Sequence, residues 1–440
     1  MNQEPRISVG ILSAPEINIV LLDSYMHGDK AVRGPQTFEI TPDGRIAWQG
    51  MVHDSIDLVP AGEKGAFEIA DVIIGVNFHW ERRETQRFPG ACRLIVEGDR
   101  LTIINILPVE EYLLSVISSE MSAHASLELL KAHAVISRSW LLAQIEKDKS
   151  IRESSQEYSA ETASDDEIIK WYDRQDHVNF DVCADDHCQR YQGITRQSTP
   201  KVAEAVNATR GLVLTDNGRL CDARFSKCCG GVFEEFENCW EPRHFSYLVA
   251  RRDNVDPADF PNLKLEAEAC KWINSRPDAF CNTSDAEILR QVLNNYDQET
   301  KDFYRWTVRY DAEELSALAR ERSGIDFGRI IDLQPVERGT SGRLVRLRIV
   351  GTRRTMIIGK ELEIRRTLST SHLYSSAFTV EKGAPDPVTG YPTSFTLHGA
   401  GWGHGVGLCQ IGAAVMGARG YDYRAILAHY FPGADLTPLY

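Results

Sequence analysis

Short apolar and β-branched runs, broken by Gly, Pro and Asp, fill residues 7 to 105. Ile7–Leu12, Asn18–Leu22, Gln36–Ile40, Arg93–Val96 and Leu101–Asn105 predict strands. The apolar period then changes. Behind Pro108, Tyr112, Leu113, Val116 and Ile117 stand at helical spacing, which predicts a helix reaching Glu120-Met121. A second amphipathic helix follows from Ser126 to Gln144. Its expected buried stripe is Leu127, Leu130, Ala134, Ser137 and Leu141. Strands and turns return over 200–256, and a helical pattern with Cys270 and Cys281 covers 262–300. Beyond it, Asp302–Tyr310 predicts a strand and Ala312–Arg320 a helix. Ile330–Leu333, Arg343–Val350 and Thr355–Ile358 predict further strands.

Strands in series, rather than in strict alternation with helices, make the expected class α+β: a mixed, β-rich core around a central helical pair, with insertions. The expected division is a β-rich part at 1–105 and a core at 106–260 holding the helical pair. Residues 261–300 form a helical insertion, and 301–440 complete the core. Within 106–260, residues 147–176 are polar and acidic, and read as a surface insertion of disorder-prone composition. No internal repeat is visible.

The chain has 440 residues and a net charge of -14, which argues against nucleic acid as a partner, because phosphate binding needs a basic face. No apolar run approaches a membrane span. The N-terminus shows no basic stretch followed by an apolar one, so no signal peptide is expected. Either the protein is cytoplasmic or a leader is missing from this sequence, and the compartment stays open. Six of the ten cysteines cluster between 183 and 239 with histidines nearby, a pattern that fits metal or reduced thiols at least as well as disulfides.

Three stretches carry candidate chemistry. His177, Cys183, His187 and Cys188 follow the spacing H-x5-C-x3-H-C, and thiolate with imidazole is the donor set zinc prefers. Four protein ligands would leave no open position, so such a site would be structural; the alternative is two separate cysteines and two exposed histidines. Between the predicted helices, Glu120 can project into a cleft as an acid/base candidate, or be a solvated residue. Near the C-terminus, Gly399-Ala-Gly-Trp402-Gly-His404-Gly-Val-Gly-Leu-Cys-Gln410-Ile-Gly412 packs six glycines around Trp402, His404 and Gln410. Such density means a backbone that bends sharply or passes close to something else. Trp402 and His404 are either site residues or core residues.

Taken in order, the motifs resemble one family. Glu110-Glu-Tyr112-Leu through Glu120-Met121, with Leu129-Leu-Lys131-Ala-His-Ala-Val-Ile-Ser-Arg138-Ser, resembles the opening signature of the stage II sporulation protein D family and its LytB amidase-enhancer branch. Gly401-Trp-Gly-His404-Gly-Val-Gly-Leu-Cys-Gln410-Ile-Gly-Ala resembles its "G-x-G-H-G-V-G-M-S-Q-x-G-A" run, and His429-Tyr430-Phe-Pro-Gly433 its closing motif. Phe225-Ser226-Lys-Cys-Cys229-Gly-Gly231, Ser341-Gly-Arg343, Ile364-Arg365 and Leu373-Tyr-Ser-Ser376 are supporting matches. His133 and Cys409 depart from the family's usual Gln and Ser.

The resemblance implies a bacterial peptidoglycan lytic transglycosylase, which cuts MurNAc–GlcNAc strands to 1,6-anhydro-MurNAc ends with one carboxylate, mapped onto Glu120. That acid is expected to be protonated near neutral pH in a partly apolar cleft walled by Tyr112, Met121 and Trp402. The resemblance also implies zinc on His177, Cys183, His187 and Cys188, and a cell-envelope location. Tyr112, Ser226, Trp402, His404 and Gln410 become substrate-binding candidates, and glycan strands the expected partner. The alternative it offers is a non-catalytic wall-binding module that stimulates an amidase.

Overall fold

A computed structural model describes residues 3–74, 82–122, 124–153, 159–172, 177–185, 187–195, 199–292 and 302–440. Among these the architecture is α+β, with 10 helices and 24 strands. The N-terminal part is a sheet of eleven strands. Glu16–His27 and Lys30–Ile40 pair antiparallel and alternate up to a register shift between Leu21 and Tyr25, burying Ile17, Ile19 and Leu21 on one and Val32 and Phe38 on the other. One edge of this sheet matters for the site. Val182–Cys183 pairs parallel with Arg6–Ala14, setting Val182 opposite Val9.

The helices, in chain order, are α1 (Val109–Glu120), α2 (Leu127–Glu153), α3 (Pro200–Ala208), α4 (Phe236–Cys239), α5 (Glu266–Ile273), α6 (Ala286–Val292), α7 (Ala312–Ser323), α8 (Glu361–Thr367), α9 (Gln410–Ala418) and α10 (Tyr423–Tyr430). Pro108 caps α1 in extended conformation, and Glu110 and Glu111 in its first turn suit the positive end of the helix dipole. Met121 leaves the helix in extended conformation and ends it at Glu120.

For α2 the expected single stripe is too narrow. Every residue from Ala132 to Leu142 is buried, while Leu127 is only partly so. A helix covered on all sides is the spine of a core rather than its edge. Arg138 lies on it, fully buried, and its guanidinium grips both carboxylate oxygens of Glu110 at 3.0 and 2.7 Å. Leu212 O accepts from Arg138 at 2.9 Å, and Gly211 N and Tyr440 Oη donate to Glu110. Much of the family-like run at 110–138 therefore builds a clamp between α1, α2 and the chain's last residue.

Among the described residues two large hydrophobic cores form, with two small clusters beside them. One gathers the N-terminal sheet, α1 to α3, and the segments from Val406 to Phe431; the second holds Trp306 to Leu397 with α7 and α8. The acidic stretch departs from expectation. α2 runs on to Glu153, and Glu167–Lys170 pairs parallel with Thr355–Gly359, with Ile168 packed on the second core. Two adjacent isoleucines supply the β-pairing that the surrounding acids mask in composition. Residues 154–158 and 173–176 of that stretch, and 293–300 of the helical insertion, lie outside the described residues.

Candidate functional site

The segment 177–192 wraps the C-terminal end of α1. Phe180 lies over Gly10, where a Cβ would come 2.6 Å from its ring, and Asp181 accepts from Ser8 N and Oγ, both at 2.7 Å. Residues 189–192 then line α1. Tyr191 stacks on Tyr112 at 5.1 Å, Gln192 N donates to Ser115 Oγ, and Tyr112 Oη donates to Gln189 Oε1. Arg190 N donates to Glu120 Oε1 at 3.2 Å. Glu120 is half-buried, and Tyr112 is fully buried.

Two residues before Arg190 the four candidate ligands converge. Cys188 Sγ stands 3.5 Å from His177 Nε2 and 3.5 Å from His187 Nδ1, and Cys183 Sγ stands 4.0 Å from His187 Nδ1. All four donor atoms lie within 4.8 Å of one another. In a zinc tetrahedron, N and S ligands stand about 3.6 Å apart, so the donors fit a metal ion in both chemistry and spacing. His177, Cys183 and Cys188 are half-buried and His187 is exposed.

The glycine loop is built differently. Phe225–Ser226 pairs parallel with Leu408–Cys409, and Cys228 bridges to Trp402. Arg343, buried, threads the loop and donates to the carbonyls of Gly403 and Cys229. At Gly405 (φ 77°) a Cβ would meet Arg343 Cζ at 2.5 Å; at Gly401 (φ 78°) it would meet Cys228 O at 2.8 Å. The close approach expected of the glycines is thus to Arg343 and the 228–229 backbone. Sequence reasoning named Arg343 only as part of a motif and had no signal for this contact.

Ser226, buried, accepts from Gly405 N at 3.2 Å. His404 is partly buried against Trp240 and accepts from Val406 N on Nδ1. Desolvation first, then the Arg224, Arg343 and Arg365 guanidiniums, holds its pKa well below the usual imidazole range, so it is neutral. Trp402 is half-buried and stacks on Tyr374 at 4.2 Å. Gln410 is buried, and its amide donates to His133 Nε2 at 3.2 Å. That leaves His133 Nδ1 to meet Ser137 Oγ at 3.2 Å. Burial, with Lys227 adding, lowers His133 to about 3.

Tyr112, Glu120 and the four candidate ligands therefore form one cluster, and Ser226, Trp402, His404 and Gln410 another. Both pack on α2. Gln410 reaches His133, and Gln189 Nε2 donates to Ser137 O at 3.4 Å. A groove of about 1010 Å³ beside Lys147, Asp216 and His244 shares no lining residue with either cluster.

Residues 97–215 match the family model described as stage II sporulation protein, a span that contains Glu120 and all four candidate ligands. That match and the curated relatives described below support the stage II sporulation protein D family. Residues 234–407 match a second model, a domain of unknown function (DUF8618). Similar curated proteins include the amidase enhancer of Bacillus subtilis, 26% identical over 53% of this chain and 32% of that protein. The stage II sporulation protein D of Bacillus amyloliquefaciens is 20% identical, over 75% of this chain and 74% of its own. An uncharacterised protein of Brachyspira hyodysenteriae is 25% identical, over 79% and 72%. The stage II sporulation protein match and the amidase-enhancer relative support a function related to the cell wall. Among the described residues no helix is long and apolar enough to cross a membrane.

Proposed function

We propose that the chain is a peptidoglycan lytic transglycosylase with Glu120 as its acid and base. The observation that carries this reading is the placement of Glu120. It is half-buried at the exit of α1 and fixed by a backbone N–H of the segment that also gathers the four candidate ligands. A half-buried carboxylate fixed by a backbone N–H can serve both halves of the reaction. Glu120 gives its proton to the glycosidic oxygen as the C1–O bond breaks. It then takes the proton of the sugar's own 6-hydroxyl as O6 bonds to C1. The proton count closes without water, and one carboxylate replaces the usual pair.

His177, Cys183, His187 and Cys188 would hold a zinc ion, whose part is structural because four protein ligands leave no open position. The residues then do the positioning. The ligand segment presents Arg190 N to Glu120, and the Tyr112–Tyr191 stack sets its height along α1. Half-buried Trp402 on Tyr374 is an aromatic face of the kind that takes a sugar ring. The test is incubation with glycan strands and mass spectrometry of the products: 1,6-anhydro ends from wild type, formed far more slowly by Glu120→Gln.

A second reading rests on the amidase-enhancer relative: the chain binds wall glycan and stimulates an amidase without cutting. Pull-down on purified glycan without anhydro products, and with amidase rates raised equally by wild type and Glu120→Gln, would select it.

A further inference from the structure

Away from the His/Cys segment, a second set of donors meets in the core. Cys229 Sγ lies 3.5 Å from Cys281 Sγ and 3.5 Å from Asp253 Oδ2, and Cys409 Sγ lies 3.2 Å from Cys229 N. The four donor atoms of Cys229, Asp253, Cys281 and Cys409 all fall within 4.8 Å of one another, and all four residues are buried. In a zinc tetrahedron with bonds of about 2.3 Å, sulfur ligands stand about 3.8 Å apart. We propose that Cys229, Asp253, Cys281 and Cys409 bind a second, structural divalent metal ion, with zinc the ion that three thiolates and a carboxylate suit.

The surroundings are arranged for a ligating carboxylate. Asp253 Oδ1 accepts from Tyr430 Oη at 2.9 Å and faces His429 Nε2 at 3.4 Å, which turns Oδ2 toward Cys229 and the N–H of Cys281. Outer partners of this kind orient metal ligands. Gly412 leaves the room: a Cβ there would meet Asp253 Oδ2 at 2.6 Å. A buried carboxylate also asks for positive charge, and a divalent cation supplies it.

The ligands come from four separate stretches. Asp253 and Cys281 lie in residues 240–265 and 274–285, which have no helix or strand beyond a single bridge at Arg252. An ion would tie these loops to the 228–229 turn and to the start of α9. The tie reaches further. Cys281 leads into α6, whose Gln291 accepts from Ser122 N and Ser126 N on the turn after Glu120, while Lys227 Nζ donates to Val292 O.

Elemental analysis of the full chain carrying Cys183→Ser and Cys188→Ser tests the site. About one equivalent of zinc should remain, and cobalt replacing it should show thiolate charge-transfer bands. Adding Cys281→Ser should remove both signals. After unfolding with chelator, all eight remaining cysteines (ten less two) should titrate as thiols. A metal-free double variant with fewer than eight thiols, the mark of a disulfide in the cluster, would overturn the proposal. The unaltered chain guards against a misfolded variant: two equivalents are expected there, and one or none contradicts the site.

Discussion

Two regions pack on α2 and use their polar residues in opposite ways. Around Glu120, segment 177–192 turns chemistry toward solvent: His187 is exposed, three ligands are half-buried, and the carboxylate is half-buried. Around Arg343, the glycine loop turns most of its polar groups inward. Ser226 and Gln410 are buried, and His404 spends Nδ1 on Val406 N. Motif density is therefore a poor guide to chemistry here. The denser motif is mainly a packing device, and the sparser one holds the proposed acid.

The contrast can be broken at several points. The largest effect is expected at the clamp beneath both regions. Arg138→Ala leaves Glu110 buried without its partner and should cost about 3–5 kcal/mol in chemical unfolding; a loss under about 1 kcal/mol would contradict the clamp. Gly405→Ala should cost at least about 1–2 kcal/mol, from the left-handed backbone alone, before the clash with Arg343. If its thermal melting matched wild type, the packing explanation of the loop would fail.

His133 sharpens the comparison through pH. Its folded pKa, about 3, lies below the ordinary value of 6.5, so the unfolded chain binds more protons between those limits. Stability contributed by the neutral ring is present above the unfolded value and lost as pH falls toward 3, by up to about 1.4 kcal/mol per pH unit. His133→Gln, which keeps a partner for Gln410, should flatten the fall in melting temperature between pH 6.5 and 4. An unchanged slope would show that the ring is not buried neutral. The smallest global effect is expected at the first ligand set. Cys188→Ser should remove one equivalent of zinc and loosen 177–192, seen as faster amide exchange there, while the N-terminal sheet keeps its protection.

Local pattern foresaw the strands near 7–105, both helices of the central pair and α7, because period and capping are local properties. The order of motifs foresaw the family resemblance, and spacing foresaw that His177, Cys183, His187 and Cys188 would come together. What stayed hidden depends on contacts distant in the chain. Glu110 and Arg138 look like surface charges until α1 and α2 pack. Glu234 looks like any solvated acid, yet it is buried and accepts from the backbone and hydroxyl groups of Thr340 and Ser341. Asp253 meets cysteines 24, 28 and 156 residues away, and no spacing rule covers that. Gln410, expected to face substrate, is enclosed because α9 carries it onto His133.

The central claim is that Glu120 cuts glycan without water, and product analysis tests it most directly. Glycan strands are incubated with wild type and with Glu120→Gln, and the ends are read by mass spectrometry. Wild type should yield 1,6-anhydro-MurNAc ends, with the rate falling by about 10²–10⁴-fold in the variant, the usual contribution of a positioned acid. No anhydro product from the folded wild type, or undiminished product from Glu120→Gln, would contradict it.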